Sequence, residues 1–328
     1  YRQPLNIYYS MNQLYASVTD FITSLPEKEN KIVFFNSLTL SKCLDRAGLQ
    51  FSTWCAKDSK SRAVRYREFD GNLGGITLAT CAYFQACDIK DKAHVIFVVD
   101  ALNAPHTVLS INQILQALGR CREGVLSATL FFRPKISNSY EVMNRDELMR
   151  TIRDLVHVNL GYARIMFLDL CRQAEKPSQA QIMNILDGLR TSVFRRKMLK
   201  FNTEEYRIEV NWLNVDGEVE DRYAAQYYVG MYHLSRYLQQ DERLLPHLLG
   251  QYKPSSEMIV ADFWGEDHTN EELLAKIVET YTRLNILDRK GSLEWKCMKR
   301  ADTTCKTMIT MMVLCERSWE QELIQELL

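Results

Sequence analysis

Several segments that would announce a nucleotide or metal site are missing from this chain. No Gly-x-x-x-x-Gly-Lys-Ser/Thr run occurs in its 328 residues, and none of its 13 glycines is followed by lysine. A phosphate-cradling loop of the Walker A kind is thereby excluded. No Asp-Glu-x-Asp/His run is present either. The nine cysteines form no Cys-x-x-Cys pair, and the six histidines form no His-x-x-x-His pair. That spacing excludes the common zinc sites, so no metal ligand is expected. An odd cysteine count without pairs fits reduced thiols and a cytoplasmic protein better than a disulfide framework.

No apolar run approaches the length of a membrane span, and no basic segment followed by an apolar one opens the chain. No membrane partner is expected. There is no internal repeat and no low-complexity linker. The chain opens on Tyr1 rather than methionine, and is expected to be a piece of something longer. Net charge is zero, with 41 Lys+Arg against 41 Asp+Glu. The balance is uneven along the chain. Residues 1–135 hold 16 basic against 11 acidic residues, and the remainder holds 25 against 30. The first part is therefore the better suited to polyanions.

What is present has two textures. Over residues 1–135 short strand signals alternate with helical ones. LNIYY, KIVFFNS, FSTWCA, GITLAT, HVIFVVD and LSATLFFR read as strands. Residues 11–25, LTLSKCLDRAG with Gly48 as its stop, the basic SKSRAVRYREFDGN and SINQILQALG read as helices. This order predicts an α/β fold, a parallel sheet with helices on both faces. After Pro134 the pattern turns helical. Asn144 and Glu147 stand in capping-box positions ahead of Leu148, Ile152 and Leu155. Further helices are expected at about 178–198, 219–239 and 270–287, the last opened by Thr269 and Glu272. EYRIEVNWLNVDGEV reads as a strand closed by an Asp216-Gly217 turn. Two domains are expected, 1–135 and a mostly helical 136–328.

The segment QILQALGRCREG sets Arg120 and Arg122 directly after Gly119 at a helix end, with Gln116 one turn earlier. Alone, two cations at a helix C-terminus need only the helix dipole as their reason. Ligands of open α/β sheets bind at the carboxyl ends of strands, and arginines there can fork onto phosphate. On that rule the pair is expected at the carboxyl ends.

KIVFFNS, then ITLATCAYFQACDI, then VIFVVDALNAP, then QALGRCREG together resemble motifs IV to VI of the second RecA-like domain of superfamily 2 helicases. The resemblance covers about residues 30–133. A closer likeness to viral origin-binding helicases, which share the Gly-Arg-x-Arg ending, is also open. The resemblance implies that Arg120 and Arg122 contact the β- and γ-phosphates of ATP, one of them as an arginine finger. Gln116 would position that phosphate or its attacking water, and Gly119 would admit the nucleotide. Asp88 would bond the ribose or couple nucleotide state to the cleft. Thr80, Ser37 and Asn36 would grip the backbone of DNA or RNA. ATP and Mg²⁺ would be held by an N-terminal RecA-like domain of the same protein. The chain alone would then hydrolyse essentially no ATP. The family usually has glycine where Cys87 stands, and CAYFQA is bulkier than its usual loop.

Asp100 ends an apolar strand between two of these motifs and reads as scaffold. Alternatives stay open elsewhere. Arg190, Arg195, Arg196, Lys197 and Lys200, beside Phe194 and Phe201, form either a nucleic-acid contact or a solvated face. Arg62, Arg65 and Arg67 divide the same way. Tyr223, Tyr227, Tyr228, Tyr232 and Tyr237 suit core packing or a stacking surface. Cys81, Cys87 and Cys121 read as small apolar residues. A second function class is a non-catalytic nucleic-acid-binding or replication-initiation module with a RecA-like shape.

Overall fold

The computed structural model describes residues 2–255 except 12, 81, 82, 84–87, 136–141, 174–176, 189–193 and 195. Seven strands form one sheet: β1 (Gln3–Tyr9), β2 (Asn30–Phe34), β3 (Phe51–Trp54), β4 (Ile76–Ala79), β5 (Ala93–Asp100), β6 (Val125–Arg133) and β9 (Leu244–Gln251). Their order is β3-β4-β2-β5-β6-β1-β9, and all six pairings are parallel. The chain is therefore an α/β protein. β5, in the middle of the sheet, is buried along its whole length, as its run of β-branched and aromatic residues requires.

Helix α1 (Leu14–Ser24) joins β1 to β2, and α2 (Thr39–Arg46) joins β2 to β3. Both steps run the same way across the sheet, and both helices cover one face. Leu14, Tyr15, Val18, Ile22, Leu40 and Leu44 pack there against Val33, Ile96, Val98 and Phe131. Helix α3 (Ile111–Leu118) joins β5 to β6 in the opposite direction. A right-handed crossover therefore sends α3 to the other face. Gly48, at φ 78°, stops α2 as its position in the sequence suggests.

Three local expectations differ. The basic stretch is not an α-helix: a 3₁₀ turn covers Lys57–Arg62, and the chain then runs extended beside β3. Thr53 N–H donates to Arg65 O, and Arg67 N–H donates to Thr53 O, both at 3.0 Å. The free edge of β3 is thereby covered, and these bonds outweigh helix propensity in a serine-rich segment. The second difference is β9, which pairs with β1 on the far side from β6. Pro246 is tolerated because β9 is an edge strand. The third concerns Asp216-Gly217, which lies inside a helix, α6 (Trp212–Ala225), not in a turn. Asn211 caps that helix by accepting from Asn214 N–H. Gly217 is covered by the Arg196 guanidinium, which a Cβ would meet at 2.8 Å.

The chain divides into two compact units. Among the described residues, those of 1–107 and 112–134 with 238–255 make the first; those of 108–111 and 135–237 make the second. The chain thus does not divide simply at 135, because β9 returns to the sheet. The second unit holds α4 (Arg145–Gln173), α5 (Gln179–Gly188), the β7–β8 hairpin (Leu199–Asn202 and Arg207–Val210), α6 and α7 (Met231–Leu238). Asn144 Oδ1 accepts from Asp146 N–H at the start of α4. Leu148 and Ile152 are buried as expected, but Leu155 is exposed; the core stripe continues through Val156, Leu160, Ala163 and Phe167. The helix expected over 178–198 is described from Gln179 to Gly188 and does not reach residue 198, because residues 196–198 are not helical and β7 begins at Leu199. The expected helix at 270–287 lies outside the described residues.

Candidate functional site

Two strand-like segments outside the sheet proper build the site. Asp88–Lys90 precedes β5, and Arg120–Arg122 follows α3. They pair in parallel through Ile89 and Cys121. Ile89 N–H donates to Arg120 O at 2.8 Å, and Arg122 N–H donates to Ile89 O at 3.2 Å. In such a pairing alternate residues point to opposite sides. Cys121 turns inward and is buried, so Arg120 and Arg122 turn outward together.

Asp88 meets both. Arg122 Nε donates to Asp88 Oδ1 at 3.0 Å, and Arg120 Nη1 lies 3.7 Å from the same oxygen. Asp88 and Arg122 are more than half exposed, while Arg120 is 26% exposed. An ion pair this wet is worth no more than about 1 kcal/mol. A multiply charged phosphate, able to take two parallel N–H bonds from each guanidinium, competes well against one shared carboxylate oxygen. Arg120 Nε is buried and has no hydrogen-bond partner. Gln116 and Gly119 lie exposed at the end of α3, and Gly119 N–H closes its last turn on Leu115 O at 2.9 Å.

Gly71 supports the cluster from beneath, at φ 82°. A Cβ there would stand 3.0 Å from Asp88 O, and Lys90 N–H donates to Gly71 O at 2.9 Å. Sequence reading did not single out Gly71. Its signal was present in the Asp70-Gly71-Asn72 triplet, a turn composition that favours positive φ.

The position of this cluster corrects one expectation. Arg120 and Arg122 sit just before β6 begins, and Asp88 just before β5 begins. They mark the amino-terminal edge of the sheet, not the carboxyl ends where open sheets commonly bind ligands. The reason is topological: α3 starts beyond the carboxyl end of β5 and runs back to the start of β6.

Asn36, Ser37 and Thr80 lie on the opposite edge. β2 and β4 are neighbours, with Phe34 level with Ala79, so the residues just beyond each strand end are adjacent. Asn36 Nδ2 donates to His106 O at 3.0 Å. Ser37 Oγ accepts from Thr39 N–H at 3.3 Å, at the start of α2. Thr80 N–H donates to Trp54 O at 3.0 Å. Trp54, Phe69 and Tyr83 cluster beside it, with ring centroids 4.9 to 6.0 Å apart.

Asp100 ends β5, fully buried. Its carboxylate accepts from Tyr15 Oη at 3.0 Å and from Asn103 N–H at 2.9 Å, with Arg133 Nη1 at 3.3 Å. Burial, and then the charge of Asp100, pushes the Tyr15 phenol well above its ordinary value.

The other basic groups are engaged within the fold. Arg65 pairs with Asp45 and lies over Phe51; Arg67 pairs with Asp70 and lies over Trp54. Arg62 donates to Ser59 Oγ. Arg196, Lys197 and Lys200 pair with Asp221, Asp187 and Glu209. Phe194 is buried and Phe201 packs on Phe167. Tyr227, Tyr228 and Tyr237 are buried, which is core packing; Tyr232 is exposed. Arg190, Arg195, Cys81 and Cys87 lie outside the described residues. Among the described residues no group of three or more His, Cys, Asp or Glu is arranged to hold a metal ion, and no helix is long and apolar enough to cross a membrane. No protein-family model matches the chain, and no curated protein matches it.

Proposed function

We propose that this chain is the C-terminal portion of an ATP-dependent superfamily 2 helicase or translocase. Residues 1–135 with β9 would be its second RecA-like domain, and the helical second unit an accessory domain. The observation that carries the reading is the convergence of Arg120 and Arg122 on Asp88. Residues from two motifs, 32 positions apart at the nearest, meet on one exposed surface.

On this reading the nucleotide and its Mg²⁺ are held by an N-terminal RecA-like domain of the same protein. When that domain presents ATP, the arginines leave Asp88 for the phosphates. There they neutralise charge that develops on the transferred phosphoryl group. Gln116 orients the attacking water from the adjacent turn, and the freed Asp88 takes up the ribose or reports the nucleotide state. Asn36, Ser37 and Thr80 hold the phosphodiester backbone at the other edge, without reading bases. One rigid sheet then couples closure at one edge to grip at the other, and repeated cycles move the strand. Cytoplasmic location belongs to the same proposal.

The test is nucleic-acid-stimulated ATP turnover in the full-length protein. Arg120→Ala and Arg122→Ala each lower it by about 10³-fold or more while nucleotide affinity stays within a few-fold. Unchanged turnover in both variants would instead favour a non-catalytic nucleic-acid-binding module.

A further inference from the structure

Helix α4 is apolar on two faces. One carries the core stripe from Leu148 to Phe167. The other is exposed to solvent: Leu155 at 42%, Val158 at 57%, Tyr162 at 60% and Ile165 at 67%. At about 100° per residue these four positions fall within one sector about 80° wide, centred about 120° round the helix from the core stripe. Their spacing of three, four and three residues is that of a coiled-coil seam. Leu168 and Met166 widen the patch. An isolated exposed leucine needs no explanation, but a continuous apolar stripe marks a surface that another helix covers.

We propose that this surface is the contact between two copies of the chain, with the two α4 helices packed antiparallel. The three-four-three spacing is symmetric, so reversing one helix sets Leu155 against the partner's Ile165 and Val158 against the partner's Tyr162. The symmetry extends to the polar ends of the stripe. Thr151, whose hydroxyl donates to Glu147 O in its own helix, comes level with the partner's Asp169, so an uncharged residue faces that carboxylate. Glu147 comes within one residue of level with the partner's Arg172, and both are exposed. A parallel pair would instead set Glu147 on Glu147, Asp169 on Asp169 and Arg172 on Arg172. Charge therefore selects the antiparallel arrangement. Gly161 flanks the stripe near the symmetry axis, and nothing lies within 4 Å of where its Cβ would be, so the backbones can approach there. Burying this patch on both copies removes on the order of 1,000 Å², the low end for a specific interface, which suits micromolar association.

Sedimentation equilibrium of the chain tests this. The wild-type chain is expected to reach twice its 38.3 kDa at micromolar concentrations. Val158→Glu and Ile165→Glu each return the monomer mass with unchanged helical circular dichroism. Glu147→Arg and Arg172→Glu each weaken association by about fivefold, and the two together restore it. A wild-type chain that stays monomeric, or a dimer indifferent to Val158→Glu, overturns the surface. A double charge reversal that fails to restore association overturns the antiparallel register.

Discussion

Arg122 Nε donates to Asp88 Oδ1 at 3.0 Å, joining the turn before β6 to the turn before β5. Arg120 reaches the same oxygen more loosely, at 3.7 Å. The carboxylate thus holds two guanidinium groups at once, in a place wet enough for an incoming phosphate to displace it.

Asp88 rests on Gly71, whose positive φ and 3.0 Å approach to Asp88 O strain any side chain placed there. Gly71→Ala is expected to cost about 1–2 kcal/mol in urea unfolding. It also lowers ATP turnover in the full-length protein by more than that loss of stability explains. Gly75→Ala serves as the control, because Gly75 has a similar φ of 79° but nothing within 4 Å of where its Cβ would stand, so it should lose a similar stability with no turnover loss beyond it.

The alternation of strands and helices was legible in the sequence because each strand of a parallel sheet is a short apolar run. That Arg120 and Arg122 stand together at the end of α3 was legible too. Their partner was not, because Asp88 is brought to them by the Ile89–Cys121 pairing, a long-range contact with no local signature. β9 was missed because LLPHLLGQ carries a proline and lacks alternation, both permitted only at an edge. The Asp216-Gly217 turn failed because the glycine is covered by Arg196, 21 residues earlier.

Four buried or half-buried tyrosines, one of them bonded to Asp100, bear on stability at alkaline pH. Burial raises the phenols of Tyr15, Tyr228 and Tyr237, and it raises Tyr252 to about 12 with help from Asp20. A raised acid favours the neutral phenol in the native state, whereas an unfolded phenol ionises near about pH 10. This stabilisation is therefore complete below about pH 10 and lost as pH rises above it. The urea midpoint should hold level to about pH 9 and then fall. Tyr15→Phe should cost about 1–3 kcal/mol at neutral pH, by leaving Asp100 short of a donor, and should make the alkaline fall shallower. An unchanged alkaline slope would remove Tyr15 as a contributor.

Thr80 and Ser37 at the carboxyl edge are expected to contact phosphate. Fluorescence anisotropy with single strands of several sequences should show Thr80→Ala and Ser37→Ala weakening binding about three- to tenfold. The loss should be equal for every sequence. A loss confined to one sequence would mean that this edge reads bases.

The central claim is that Arg122 is held by Asp88 in order to be released to a nucleotide. The charge exchange Asp88→Arg with Arg122→Asp tests it most directly in the full-length protein. The exchange keeps an ion pair between the two segments, so the thermal midpoint should return toward the wild-type value after falling in either single variant. ATP turnover should stay lost in the double variant, because no guanidinium remains at position 122. Turnover restored together with stability would contradict the account, and would make the pair a structural tie alone.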